Sequence, residues 1–440
     1  MAPKRAAKLS RAASPASIGG DNDSVISEIS ELAESLSITD SATILETALT
    51  KFLDRRASTR LEALEMFNRQ LSLQLHEEFL ESEQSTIQSG LISSLKRSIP
   101  EETVESCRFL ELITITMGPA AVLNEAIPVL KSLSRHGGDK VQPAAVRALG
   151  TIQLITCHHA DALHHWMATL SRFFRKRDPG LASAAIDAWA LLATQLSSTD
   201  LAGPIRELYL PRLAVLLHSQ SVDIRTSAGE ALALIFEAIW QRRKAGDNDD
   251  AESDDDYESD EEKVLSGSED GDEFGSETPT ENENDSSLES DEEVDVEELQ
   301  VLLAQLATDG TRSRARKERS VQRSVFRSVY STVISGEQPK VALKIGKERL
   351  TFGTWKSIIR LSAMREVLAQ GFYRHISSND LVRDLLLISS EKQDAVGDFQ
   401  ANPDSVSVEV KEVSQSKTKM RQQKKKADRN QKHSFRFNTD

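Results

Sequence analysis

Four of the nine histidines fall within eight residues, His158, His159, His164 and His165, beside Cys157 and Asp161. On a helix, Asp161 sits one turn from His164 and His165, so these side chains have the chemistry to surround a divalent ion. The spacing is not H-E-x-x-H, however, and the cluster falls at a junction between two helical patterns. A solvated turn with incidental histidines, and no metal, is the reading adopted. Gly346-Lys347 lacks the upstream glycine of a phosphate loop, because Val341 stands there, and Glu348 follows where Ser or Thr would be needed. It reads as a hairpin turn. No G-x-S-x-G is present, and neither Cys107 nor Cys157 sits in a catalytic signature. Neither an enzyme, a cofactor nor a small-molecule substrate is expected.

The chemistry that remains is electrostatic. The formal net charge of -15 hides a bipolar chain. Positions 247–298 hold twenty-six Asp and Glu against Lys263 alone, a local charge of -25, so the rest of the chain sums to +10. A basic remainder points to an anionic partner, most often nucleic acid. From Arg312 through Arg374, fifteen Lys and Arg face four Glu, a net of +11, with Tyr330, Trp355, Phe372 and Tyr373 interspersed. Candidate RNA contacts in this block are Arg312, Arg314, Arg316, Lys317, Arg319, Arg323, Arg327, Lys344, Lys347, Arg349, Lys356 and Arg360. A second run adds Lys417, Lys419, Arg421, Lys424, Lys425 and Lys426. Neutralised phosphates would make affinity salt-dependent, log K falling by about 0.7 to 0.9 per phosphate for each decade of salt.

The elements that must position these charges divide at the acidic tract. Residues 246–298 cannot bury enough apolar surface to offset ordering and read as a disordered linker. Ser253 and Ser259 stand beside acids there, as an acid-directed kinase requires. Residues 1–42 read as a disordered tail, basic at Lys4, Arg5, Lys8 and Arg11. That opening superficially looks like a transit peptide, and it has no secretory apolar region. A marginal helical pattern runs through Val25, Ile29, Leu32 and Leu36. No apolar run approaches the ~18 to 20 residues of a membrane span, and two distant cysteines encode no disulfide framework.

Between residues 43 and 245 four segments look alike, centred on Ala63, Ala148, Ala188 and Ala231, with a weaker copy near Ser106. Their spacing gives a period close to 42, matching the roughly 40 to 47 residues of HEAT and armadillo repeats. Small residues let the inner helix of each repeat approach its neighbour, and aliphatics fill the core between them. The expectation is an all-α, HEAT/armadillo-like solenoid, with a generic helical bundle as the alternative. Turns should fall at Pro100, Gly118-Pro119, Gly137-Gly138, Pro179 and Gly203-Pro204. Such a solenoid would bind regulatory protein complexes on its long concave surface. Residues 299–390 read as a small, basic, mainly helical domain. A short amphipathic piece from Val296 to Leu306 spans its boundary with the linker, and the basic module proper begins at Arg312 with a helix over 314–335. A hairpin from Val341 to Phe352 follows, then a helix from about Thr354 to Phe372 and another from Asn379 to Ile388, capped by Ser378 or Asn379. Residues 391–440 read as a disordered basic tail. Trp166, Trp189, Trp240 and Trp355 are expected in cores.

The stretch Phe326 to Ile388 resembles the C-terminal domain of the interferon-related developmental regulator family. The likeness rests on the Phe326-Arg327 helix, the Ile345 to Leu350 hairpin, Trp355, Phe372 to His375 and the Leu381 to Leu386 helix. A helical-repeat half before an acidic, Ser-rich linker is similar to that family's N-terminal domain by pattern. The resemblance implies a non-enzymatic regulator of growth and differentiation, linked with transcriptional co-repression and with binding to idle ribosomes. The expected function is therefore a protein that binds ribosomes or other RNA through its basic region and represses translation by occlusion, cytoplasmic and nuclear, with no membrane partner. A nuclear transcriptional co-regulator scaffolding repressor complexes is the alternative, and a carrier using only the solenoid is a third.

Overall fold

The computed structural model describes residues 38–118, 123–249, 295–308, 316–345, 348–388 and 407–409. The N-terminal tail, most of the acidic tract and the basic run from Lys417 lie outside them, as does the pattern from Val25 to Leu36.

The first half is a two-layer stack of helices. In chain order these are α1 (Ile38–Phe52), α2 (Ala57–Leu73), a short α3 (Glu77–Ser82), α4 (Gln84–Arg97), α5 (Pro100–Met117) and α6 (Leu123–His136). They continue with α7 (Val141–Thr156), α8 (Ala160–Ser171), α9 (Pro179–Ala193), α10 (Arg206–Leu216) and the long α11 (Val222–Asp249). Helices α2, α5, α7, α9 and α11 pack side by side as an inner row, and α1, α4, α6, α8 and α10 each back onto one of them. The alanine positions that set the period all lie in the inner row. Ala63, Ser106, Ala148 and Ala231 are fully buried and Ala188 nearly so. Close approach is the cause: a Cβ at Gly150 of α7 would lie 2.8 Å from the Ala188 Cβ of α9.

Pro100, Gly118, Gly137-Gly138 and Pro179 fall at helix boundaries, whereas Gly203-Pro204 lies within the helical stretch Leu201–Ile205 as a kink at Gly203 rather than a turn between helices. Pro100 and Pro179 open α5 and α9 at first-turn positions, where the missing N–H costs nothing. Asp178 caps α9 by accepting from Gly180 N and Leu181 N at 3.2 and 3.1 Å. Gly118 ends α5 with φ +70°.

After the tract come α12 (Val296–Thr308), α13 (Arg316–Ser335), the antiparallel pair β1 (Val341–Ile345) and β2 (Glu348–Phe352), α14 (Trp355–Leu368), α15 (Phe372–Ser378) and α16 (Asp380–Leu385). Thr354 and Ser357 form a reciprocal capping box that starts α14. Asn379 caps α16 by accepting from Val382 N at 3.1 Å. Ser407–Glu409 pairs with β2 as a third strand, β3, within a stretch expected to be an unstructured tail.

This second half does not stand apart on a tether. Helix α13 packs on α11, α14 crosses α11, α9, α5 and α2, α15 lies on α2, and α16 lies on α5. The inner row, whose surface was expected to receive a partner protein, is covered by the chain's own segment 316–388. Both halves share one hydrophobic core, in which Phe326, Phe352, Trp355 and Phe372 are each at most 3% exposed. Burying a side chain of this size contributes about 1.5 to 3 kcal/mol. Trp166 and Trp189 are buried too, and Trp240 is half-buried.

Candidate nucleic-acid interface

Sidedness of the basic block follows from how α13, the hairpin and α14 are held. The row of contacts that seats them is polar and buried. Both carboxylate oxygens of Glu237 accept from the Trp355 backbone nitrogen, at 3.1 and 3.0 Å. The Trp355 indole donates to Thr332 Oγ1 at 2.9 Å, and Thr332 Oγ1 donates to the Glu337 carbonyl at 2.8 Å. Arg225 on α11 donates to Gln322 Oε1 on α13 at 2.8 Å. At the far end of the array, His375 Nε2 bonds the Leu71 carbonyl at 2.9 Å and Asn379 Nδ2 donates to the Ile115 carbonyl at 3.1 Å. A Cβ at Gly371 would collide with the Ser72 carbonyl oxygen, so only glycine lets the backbone press this close to the end of α2. Outside this buried row, at the surface, Arg147 on α7 pairs with Glu366 on α14 at 3.2 Å.

With this seating, the candidate RNA contacts separate into groups. Lys344 of β1 and Arg349 of β2 are direct cross-strand partners, and both are exposed. Arg327 is exposed on α13 and Arg323 is half-buried on the same helix. Arg316, Lys317 and Arg319 belong to the opening turns of α13. Arg312, Arg314, Lys347, Lys417, Lys419, Arg421, Lys424, Lys425 and Lys426 lie outside the described residues.

Two candidates point the other way. Lys356 and Arg360 are 7% and 8% exposed. The Arg360 guanidinium donates through Nε to Thr194 Oγ1 at 2.8 Å, and its two terminal nitrogens reach the Thr194 and Leu385 carbonyls at 3.2 and 3.3 Å. It joins α14 to the end of α9 and to α16, so its charge works inside the protein. This corrects the sequence expectation of a solvent-facing cation. Burying an unpaired guanidinium is costly, and these carbonyls supply the compensation.

The exposed pair has the opposite character. Like charges directly opposite across two strands destabilise a sheet, and backbone register offers Lys344 no acid but instead Arg349. An anion between them would relieve the repulsion. In the same register Glu409 of β3 stands opposite Arg349 on its other side.

Other titratable groups are buried and structural. Glu111, packed between α5 and α7, is pushed up to about 7 by burial, against the pull of its hydrogen bond from Thr151 Oγ1 at 2.8 Å. Burial likewise raises the Cys107 thiol and lowers His375. The histidine cluster stays dispersed: Cys157 is buried while His158, His159, Asp161 and His165 are exposed. Among the described residues no group of three or more His, Cys, Asp or Glu is placed to hold a metal ion. No helix among them is long and apolar enough to cross a membrane.

Sequence reasoning missed Glu237, Arg225, His375 and Asn379 as the groups that dock the basic segment. The signal for Glu237 was present: a lone carboxylate within ALALIFEAIW, where burial demands a donor.

The fold and this surface define a helical-repeat protein whose inner row is filled by its own C-terminal segment and whose hairpin carries a basic pair. Residues 12–334 match the model of the interferon-related developmental regulator (IFRD) family, and the chain belongs to that family, a family of regulators. Interferon-related developmental regulator 2 of Mus musculus is 28% identical over 352 residues, covering 76% of this chain and 69% of its own length. Interferon-related developmental regulator 1 of Sus scrofa and of Homo sapiens are each 25% identical over 353 residues, 76% of this chain and 68% of theirs. Among solved structures, an engineered protein aligns over 65% of this chain and 97% of its own with a TM-score of 0.38 and 17% identity, too distant to bear on fold or function.

Proposed function

We propose that this protein is a non-enzymatic regulator of gene expression that binds ribosomes through their RNA and represses translation by occupying space that mRNA or tRNA needs. The observation that carries the reading is the exposed Lys344–Arg349 pair, a like-charge juxtaposition on a sheet that an anionic partner would stabilise. Arg327 adds to it, while Lys356 and Arg360 are spent on folding. Ribosomal RNA supplies phosphates in a fixed shape, which suits a surface with no base-reading motif. No cofactor enters this mechanism. The array contributes rigidity, holding the basic face on a large body able to obstruct a channel.

Sedimentation through sucrose gradients tests the reading. At low salt, extracts of starved cells should carry the protein with ribosomal particles, and raised salt should release it. Absence from the ribosomal fractions at low salt would overturn the proposal.

A further inference from the structure

Helix α11 runs on past Trp240, and after Gln241 come Arg242, Arg243 and Lys244, all exposed. Capping of α11 does not account for them, because its last turn, which ends at Asp249, contains no basic residue. The surroundings of Trp240 fix where they stand. Its indole donates to the Val333 carbonyl of α13 at 3.4 Å. Gly336, with φ +64°, closes α13 directly against it: a Cβ there would lie 2.7 Å from Trp240 Cγ. The Arg243 guanidinium sits 5.1 Å from the centre of the Trp240 ring. Four residues after Gly336 comes exposed Lys340, and then β1 with Lys344 opposite Arg349. Cations separated in sequence by the entire acidic tract thus flank the Gly336 end of α13, Arg243 over the Trp240 ring that Gly336 packs on and Lys340 four residues farther along the chain.

We infer that Arg242, Arg243 and Lys244, with Lys340, form a second phosphate-contact surface for RNA, continuous with the hairpin pair. The inference rests on the RNA-binding reading and specifies a part of that interface which the sequence conceals, since these residues immediately precede twenty-six acids. The chemistry favours phosphodiester oxygens. A guanidinium stacked on an aromatic face keeps its N–H edge free and pre-oriented for bidentate recognition. Three cations on consecutive positions of a helix spread over its surface rather than converging on a point, as contact with a chain of phosphates requires. From Gly336 to Lys340 the chain spans at most about 14 Å, so the two groups lie within reach of a single short strand.

The test measures binding of the full chain to a fluorescent single-stranded RNA of about 20 nucleotides across a range of salt. Three proteins are compared: the wild type, R242Q/R243Q/K244Q and K344Q/R349Q. Each lost phosphate contact should reduce the slope of log K against log salt by about 0.7, hence by about 2 for the triple variant. R242K/R243K should keep the wild-type slope. A slope lowered in K344Q/R349Q and unchanged in the triple variant would overturn this inference while leaving RNA binding intact. Wild-type protein that shows no salt-dependent binding would overturn both.

Discussion

Glu237 holds both carboxylate oxygens within 3.1 Å of the Trp355 backbone nitrogen, so an acid from the last inner helix of the array meets the opening turn of α14. The carboxylate is 4% exposed. It satisfies a donor that no intrahelical partner can reach and sits at the positive end of the helix dipole. Glu237→Ala strands that N–H in the core and should lower stability by about 1 to 3 kcal/mol. Glu237→Gln keeps an acceptor and should cost less. Thermal unfolding of the two variants checks the order, and an alanine variant as stable as the wild type would contradict it.

Arg360 and Arg349 should separate folding from binding. Arg360→Met removes a guanidinium held by Thr194 and the Leu385 carbonyl. It should destabilise the protein by about 1.5 to 3 kcal/mol, the range for hydrogen bonds from charged groups. The salt slope of RNA affinity should stay unchanged below the melting temperature. Arg349→Gln should do the reverse, lowering the slope without destabilising the fold, because it removes the like charge that faces Lys344.

Acid should loosen the far end of the docked segment. His375 bonds the Leu71 carbonyl through Nε2, while Nδ1 stands 3.5 Å from the Asn379 amide nitrogen, which itself donates to Ile115. These partners assign the proton to Nε2 and leave Nδ1 as an acceptor. Burial lowers His375, and burial together with His375 lowers His76. Both rings are therefore neutral when docked. Docking is strongest above the ordinary histidine value near 6.5 and weakens as pH falls from there toward the lowered values, by up to about 1.4 kcal/mol per pH unit for each ring. Glu111 acts in the opposite sense. Its raised value near 7 means that its contribution is complete below the ordinary carboxylate range and lost as pH rises through about 7. Protection factors across residues 369–388, taken as observed exchange relative to the intrinsic rate at each pH, should fall between pH 7 and pH 5.5 (about the range in which histidine titrates) in the wild type, and much less in His375→Gln.

The repeat half was legible because its signal is periodic. Ala63, Ala148, Ala188 and Ala231 recur where inner helices must approach closely, and even the weak copy near Ser106 landed in the inner row. The hairpin and the Asn379 cap were equally local, set by alternation and by a side-chain acceptor at a helix start. What local pattern could not convey was the surface each element would face. Lys356 and Arg360 are four apart on one helix and look like a solvated basic stripe, yet both are buried, and Arg360 meets the carbonyls of Thr194 and Leu385. Arg242 to Lys244 were hidden for the converse reason, since the acids follow them in sequence while the Trp240 ring beside Arg243 packs on the end of α13.

Crosslinking protein to RNA in cells, followed by sequencing of the recovered RNA, tests the central claim most directly. Ribosomal RNA should dominate what the wild type recovers, and R327Q/K344Q/R349Q should recover far less while remaining folded. Recovery of no RNA, or of RNA in which ribosomal sequences are not enriched, would contradict the account.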